Sequence, residues 1–199
     1  MSSSFDILEQ QSDPGKKITV ALERLSEAFR VLLWQESRKN GLSPIQIQIL
    51  VFLLFHSADK CKVGYLASEF NMTKATVSDS IKVLFQKGLI EKITDGTDTR
   101  SFSILLTESG KVVAGEASLF TNPIENAVAS LPAYTQDILL VSLMSVIDKL
   151  NVAQVITVQR MCKTCRFFDN RGEQFFCKLL NKPLEIRDLR VDCPEHELV

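Results

Sequence analysis

One segment near the middle of the chain, TKATVSDSIKVLFQKG, contains signals for both ends of a helix and for its buried face. Thr73 is suited to cap its amino end, and Gly88 is suited to end it. Val77, Ile81 and Leu84 recur at helical spacing and predict the side that packs inward. The segment therefore predicts an amphipathic helix with a polar, solvent-facing side.

The neighbouring segments predict the order helix, short turn, helix, hairpin. Upstream, SPIQ at Ser43 is a capping box, and the run IQILVFLLF predicts a largely buried helix. KVGYLASEF predicts a short helix before the turn at Asn71. Downstream, LIEKIT and SFSILL predict two strands around the polar DGTDTR. This order is typical of a winged helix-turn-helix, whose second helix enters the major groove.

Helical patterns also flank this unit. Residues 17–40 carry apolar side chains at spacings of three and four, and Asn40-Gly41 is a suitable stop for this helix. Thr107 starts another helix that Pro123 should break. A near-heptad pattern predicts a last helix from Pro132 to about Met161, roughly 45 Å long. Such a helix is too long for a small monomeric core, so we expect it to pack against a second subunit.

The predicted fold class is mainly α with an α+β wing, in four parts. An N-terminal tail is expected over 1–16, and a helical dimerisation domain over 17–41 and 107–161. The winged helix-turn-helix DNA-binding domain is expected over 42–106, followed by a cysteine-rich, metal-stapled extension over 162–199.

From about Leu42 to Gly110 the chain resembles MarR-type transcriptional regulators. LSPIQIQILVFL, YLASEFNMTKATVSDSIKVLFQKGLIEK, TDGTDTRS and ILLTESGK follow one another in that family's order. The resemblance implies a homodimer that binds a pseudo-palindromic operator with one winged helix per subunit. Repression is the expected outcome, and activation is the alternative. It also implies that Asp98-Thr99-Arg100 is the family's D-x-R wing motif, in which the arginine enters the minor groove and the aspartate braces the loop. A solvated hairpin tip is the alternative.

Side chains that are short or flexible enough to reach base edges and phosphates predict the surface that reads DNA. The candidate residues are Thr73, Lys74, Ala75, Thr76, Ser78, Asp79 and Lys82, with Asp98 and Arg100 of the wing. Free backbone N–H groups at the start of the helix also favour phosphate. Asp79 either accepts from a cytosine amino group or pairs with Lys82 along the helix. An ordinary solvated face is the alternative for the lysines and Ser78.

Four of the five cysteines lie in the last 38 residues, with the spacing Cys162-x2-Cys165-x11-Cys177-x15-Cys193. A C-x2-C pair chelates one ion from a single turn, and two later thiolates complete a tetrahedron. So short a segment cannot fold without a staple, which predicts zinc as the cofactor. The alternatives are an iron–sulfur cluster, a metal-free thiol switch and an inert tail. His196 could replace one cysteine, whereas Cys61 is interpreted as a small buried hydrophobe.

The remaining signals limit other functions. No apolar run could span a membrane and no secretion signal is evident, so a cytoplasmic protein is expected. Phosphate-loop, nucleophile and metalloprotease motifs are absent, which predicts that the chain is not an enzyme. A redox-sensing regulator, an electron-transfer metalloprotein and a protein-interaction adaptor are the alternatives. A small-molecule effector could bind near Trp34, Arg38, His56 and Tyr65, although each suits ordinary packing or a surface position equally well.

Overall fold

The computed structural model describes residues 3–94, 102–172 and 174–198. Its helices are α1 (Ile7–Ser12), α2 (Pro14–Asn40), α3 (Pro44–Phe55), α4 (Val63–Glu69), α5 (Lys74–Gln86), α6 (Glu108–Ala117), α7 (Asn122–Ala129) and α8 (Ala133–Val152). Its strands are β1 (Ile90–Thr94), β2 (Phe102–Leu106), β3 (Phe168–Arg171), β4 (Gln174–Cys177) and β5 (Lys182–Leu184). Strands β1 and β2 form an antiparallel hairpin, and β3, β4 and β5 form a second antiparallel sheet in that order. Over this described part, no helix is long and apolar enough to cross a membrane.

Helices α3 to α6 and the β1–β2 hairpin enclose the larger hydrophobic core. Helix α3 is apolar nearly all round, and its Ile47 and Ile49 are completely buried. The inward face predicted for α5 is confirmed by three buried residues, Val77, Ile81 and Leu84. The core therefore holds α5 by one side and leaves its other side in solvent.

The helix ends that the sequence predicts in this region are confirmed. The Ser43 N–H donates to the Gln46 side chain at 2.8 Å, and the Gln46 N–H donates to the Ser43 hydroxyl at 3.4 Å. Helix α2 ends at Gly41, whose φ of 61° lies in the left-handed region that glycine adopts without steric cost. The break at Pro123 is also confirmed, because α6 gives way to a 3₁₀ turn and α7 begins at Asn122.

Two predicted boundaries are wrong. The segment expected to be a tail contains α1, capped by Asp6, and Asp13 then caps α2 from Pro14 onward. The last long helix stops at Val152 and not near Met161, so it is roughly 30 Å long. The chain turns away there because Gln154 takes a φ of 58° and the Asn151 side chain donates to two carbonyl groups beyond it.

The C-terminal segment packs against α8 through a second, smaller core. Its buried residues are Met144 of α8 together with Met161, Leu184 and Leu189. Phe168 and Phe175 pack at its edge, with 5.6 Å between ring centroids. Leu179 and Leu180 are about half exposed and lie outside this core.

Gly110 provides a test of how α6 docks on the winged helix. A Cβ at this position would lie 1.9 Å from the Leu89 carbonyl oxygen, a backbone atom that cannot swing aside. We expect Gly110→Ala to lower the free energy of unfolding by about 3 kcal/mol, near the upper end of overpacking costs. A Cβ at Gly115, also in α6, would meet no atom within 4 Å. Gly115→Ala should therefore raise stability by about 0.5–1 kcal/mol. Denaturant unfolding of both variants measures the contrast, and equal stabilities would contradict it.

Candidate nucleic-acid interface and cysteine centre

Helix α5 presents a polar face whose start is fixed by local hydrogen bonds. The Thr73 hydroxyl accepts from the Thr76 N–H at 3.1 Å and lies 2.9 Å from the Thr76 hydroxyl. The buried Ser80 donates back to the Thr76 carbonyl at 3.0 Å, so it belongs to the packed side. The other early N–H groups of α5 point out of its amino end, where the helix dipole favours an anion.

The residues predicted to read DNA from α5 all lie on its exposed face. They are Thr73, Lys74, Ala75, Thr76, Ser78, Asp79 and Lys82. Among the described residues, Asp79 and Lys82 form no ion pair with each other, so the intrahelical pairing considered for Asp79 is not formed in this structure. Asp79 is exposed on this face.

The β1–β2 hairpin stands beside α5 as a wing. Ile90 pairs with Leu106 at its base and Thr94 with Phe102 at its far end. Asp98 and Arg100, the predicted wing residues, lie outside the described residues. Lys92 joins the hairpin to α5, because its ammonium lies 4.8 Å from the Phe102 ring centroid and 5.4 Å from that of Phe85.

The four C-terminal cysteines line one small cavity. Cys162 and Cys165 flank a 3₁₀ turn, whereas Cys177 ends β4 and Cys193 lies near the C-terminus. The cavity has a volume of about 40 Å³ and also contacts Phe168 and Leu184. A space of this size suits an ion and is far smaller than an organic ligand needs.

Two of the four thiols, Cys162 and Cys193, have sulfur hydrogen bonds and a raised pKa. Burial raises the pKa of Cys162, and the other three thiols raise it further, although the Arg190 N–H donates to its sulfur at 3.2 Å. Burial also raises the pKa of Cys193, whose thiol donates to a Glu195 carboxylate oxygen at 3.4 Å. Within the described ranges, no group of three or more His, Cys, Asp and Glu side chains is arranged to hold a metal ion. The donor types fit zinc, but the sulfurs must move inward to bind it.

His196 and Cys61 are both accounted for without a metal. The His196 Nε2 lies 2.9 Å from the Thr164 hydroxyl. Cys61 is 1% exposed and directs its thiol towards the Ser57 carbonyl at 3.3 Å, which confirms that it is buried. Burial raises its pKa to about 11, so it is a poor nucleophile and metal ligand near neutral pH.

Arg160 forms the most densely bonded polar cluster that sequence reasoning missed. Its side chain is 8% exposed and donates to Glu69 at 2.5 Å and 3.1 Å, to Asp192 at 2.7 Å and 2.9 Å, and to the Tyr65 hydroxyl at 2.9 Å. His56 Nε2 lies 2.9 Å from Asp192. We call these five residues, Arg160, Glu69, Asp192, Tyr65 and His56, the arginine cluster.

Hydrogen bonds between Arg160 and Asp192 favour the charged forms of both side chains. Burial by itself would lower the pKa of Arg160, but its hydrogen bonds to Asp192, Glu69 and Tyr65 raise it. The hydrogen bond from Arg160 holds the pKa of Asp192 at about 2. No periodicity or motif marks Arg160 in the segment TVQRMCK, so only its proximity to Cys162 could have drawn attention to it.

The four residues considered for an effector divide between two places. Trp34 and Arg38 line an open cavity of about 360 Å³ along α2. His56 and Tyr65 instead belong to the arginine cluster. The structure therefore assigns the second pair a packing role within one chain.

The sequence comparisons match the winged-helix segment. Residues 40–101 match the family model described as MarR family. The HTH-type transcriptional regulator BilQ of Clostridioides difficile (strain CD3) is 36% identical over 56 residues. That alignment covers 28% of this chain and 38% of BilQ, so the chain matches well under half the length of this curated relative.

Solved structures share the fold over a longer stretch. The Staphylococcus aureus MepR–DNA complex is similar with a TM-score of 0.58 and 23% identity, over 67% of this chain and 97% of MepR. A MarR transcriptional regulator from Methanosarcina mazei Go1 has a TM-score of 0.58 and 19% identity, over 71% of this chain and 99% of its own. These likenesses confirm the mainly helical, winged helix-turn-helix fold class. The segment 40–101 is thus similar to MarR proteins in both sequence and fold.

Proposed function

We propose that this protein is a sequence-specific DNA-binding transcriptional regulator of the MarR type, without catalytic activity, which acts as a homodimeric repressor on a pseudo-palindromic operator. The observation that carries the proposal is the exposed polar face of α5 beside the β1–β2 wing. The match of residues 40–101 to the MarR family and the DNA-bound state of the similar MepR support it.

Each part of this surface has a distinct task in the proposal. Lys74 and Lys82 neutralise phosphate charge, and the free N–H groups at the start of α5 donate hydrogen bonds to phosphate. Thr76 and Ser78 contact base edges in the major groove, and Asp79 accepts from a cytosine amino group. In the wing, Arg100 enters the minor groove and Asp98 braces its loop, as the resemblance to MarR-type proteins implies.

Lys74→Ala tests the phosphate contact. We expect the slope of log affinity against log salt to become shallower by about 0.9 for each lysine removed, and so by about 1.8 for a dimer. Affinity should fall for all duplex sequences alike, because a phosphate contact carries no base information. Fluorescence anisotropy over a salt series, with a duplex selected from a random pool, measures both effects. Lys149→Ala, an exposed lysine on α8, is the matched control. An unchanged slope in Lys74→Ala would count against the proposed contact.

Uncovered apolar surface on the flanking helices supports the homodimer. Of the 27 residues of α2, only Ser37 is buried, and α8 buries only Met144. Large apolar side chains that remain 39% or more exposed on these helices and α7 are Ile18, Leu25, Phe29, Val31, Trp34, Val128, Tyr134, Ile138, Val146, Leu150 and Val152. A surface of this kind needs a covering partner, and a second copy supplies the same helices by symmetry.

Leu25→Glu tests this dimer. A carboxylate on the apolar side of α2 would have to be buried without a partner, so we expect the variant to sediment as a single chain while wild-type protein sediments as two. Arg24→Glu adds a carboxylate at the adjacent, largely exposed position, and this variant should still sediment as a dimer. Sedimentation equilibrium decides between these outcomes. A wild-type mass of one chain would overturn the homodimer.

Zinc is the cofactor that we propose for the four-cysteine centre. Four thiols around one cavity of about 40 Å³ match the ligand set of a structural zinc site, and a backbone N–H already donates to one of the sulfurs. Binding would require deprotonation of Cys162, Cys165, Cys177 and Cys193 and an inward shift of their sulfurs. His196 is left out, because it does not line the cavity.

Metal analysis tests the zinc centre. Anaerobically purified protein should contain one zinc ion per chain and have no visible absorption, because Zn²⁺ has a filled d shell. Cys177→Ser should lose the ion and melt at a lower temperature, whereas Cys61→Ala should keep the ion. A brown chromophore would show an iron–sulfur cluster instead, and unaltered metal content in Cys177→Ser would contradict four-thiolate binding.

A further inference from the structure

The cysteine centre is connected to the helix-turn-helix through its own backbone. The Cys193 N–H donates to the Arg160 carbonyl at 2.9 Å, and the Cys162 N–H donates to the Arg190 carbonyl at 2.9 Å. Arg160 and Asp192 thereby pair as a parallel bridge. Two of the four cysteines thus lie within two residues of the side chains that enter the arginine cluster.

On its other side, the arginine cluster is built from the DNA-binding unit. Tyr65 and Glu69 belong to α4, the first helix of the helix-turn-helix, and His56 caps the carboxyl end of α3. Arg160 lies over the Phe52 ring of α3 as well, 5.5 Å from its centroid. The arginine cluster therefore contacts α3 and α4, the two helices that pack against α5.

A second contact reaches the turn between α4 and α5. The Thr157 hydroxyl donates to the Ser68 carbonyl at 2.7 Å and lies 3.0 Å from the Asn71 side-chain oxygen. Asn71 has a φ of 50°, and it directs the chain from α4 into α5. Lys60, just before α4, donates to the Pro194 carbonyl at 3.4 Å. These contacts join the C-terminal segment to α4 and to the residues just before and after it.

We propose that the four-cysteine centre controls DNA binding, with zinc occupancy transmitted to α5 through the arginine cluster. This inference rests on the zinc centre and on the DNA-binding role proposed above. When the ion binds, four Zn–S bonds form and four thiol protons leave to solvent. The segments around residues 160–162 and 190–193 are then connected at two places, at the cysteines by the ion and at the Arg160–Asp192 pair. Together they hold α4 in the position that presents α5.

Loss of the ion removes the connection at the cysteines. The segments that carry Cys162 and Cys193 are then held together only by backbone hydrogen bonds and the Arg160–Asp192 pair, so they can move more against α4. The α4–α5 unit gains freedom, and ordering it on DNA costs more. Zinc-loaded protein therefore binds the operator more tightly than stripped protein, and by linkage the operator tightens zinc binding by the same factor.

The test uses full-length dimeric protein, Zn²⁺ as the probe ion and a duplex selected from a random pool. Affinity is measured for zinc-loaded protein and for protein stripped by a chelator under reducing conditions. We expect stripping to weaken wild-type binding by about 5- to 150-fold, the usual range of coupling between two sites. The measured quantity is the ratio of the operator affinity of zinc-loaded protein to that of stripped protein. In Glu69→Gln, which leaves Arg160 paired with Asp192, this ratio should fall towards one while each chain still holds one zinc ion.

Two further variants complete the test. Tyr65→Phe removes only one hydroxyl from the arginine cluster, so it decides the matter if Glu69→Gln fails to fold, and it should also reduce the ratio. Arg166→Ala removes a surface ion pair with Glu197 in the same C-terminal segment and should leave the ratio at its wild-type value.

The contrary outcomes are distinct. A wild-type ratio of one, with one zinc ion per chain and sequence-specific DNA binding intact, overturns the coupling but leaves both proposed functions standing. An undiminished ratio in folded Glu69→Gln and Tyr65→Phe overturns transmission through the arginine cluster. Protein that binds no zinc, or no duplex, overturns this inference together with the corresponding proposed function.

Discussion

Enclosure of α3 is the constraint on which the rest of the winged helix depends. Its side chains are apolar around most of the circumference, so a stable fold must cover it from several directions. α5, α6 and the β1–β2 hairpin supply that cover. Burying a residue such as Ile47 or Leu50 contributes roughly 1.5–3 kcal/mol, more than any surface ion pair of this chain can add. The orientation of α5 is therefore a consequence of how its neighbours cover α3.

The arginine cluster is held by a different kind of force. A buried guanidinium is stable only while carboxylates and hydrogen bonds replace its lost hydration, and here two carboxylates from distant parts of the chain do so. Replacing such a pair with apolar groups can be neutral, whereas removing one member costs about 3–5 kcal/mol. The cluster therefore contributes a defined geometry between the C-terminal segment and α4 more than it contributes net stability.

The features that sequence predicts well are those set by neighbouring residues. The capping box at Ser43, the stop at Gly41 and the inward stripe of α5 each depend on a few adjacent positions, and all three are confirmed. The exposed face of α5 follows directly from that stripe.

The features that sequence misses depend on contacts between distant segments. The end of α8 depends on Gln154 in a conformation that glycine or asparagine usually marks, and on the Asn151 side chain reaching forward. Spacing alone predicted a site at the four cysteines. The position of their segment against α4, however, depends on the contact between Arg160 and Glu69, which are 91 residues apart in sequence. Neither event leaves a periodic pattern for sequence analysis to detect.

The structure also changes the argument for why the C-terminal segment would use an ion. Considered alone, 38 residues would need a staple merely to fold. Here the segment shares a core with α8, because Met144 packs with Met161 and Leu184, and the arginine cluster ties it to α4. Part of the ordering free energy thus comes from the rest of the chain. An ion bound at the cysteines would then need to supply less of the free energy that orders the segment. The rest of its binding free energy would favour one arrangement of the segments that contact α4 over others. This favours a regulatory centre over one that serves only as a structural staple.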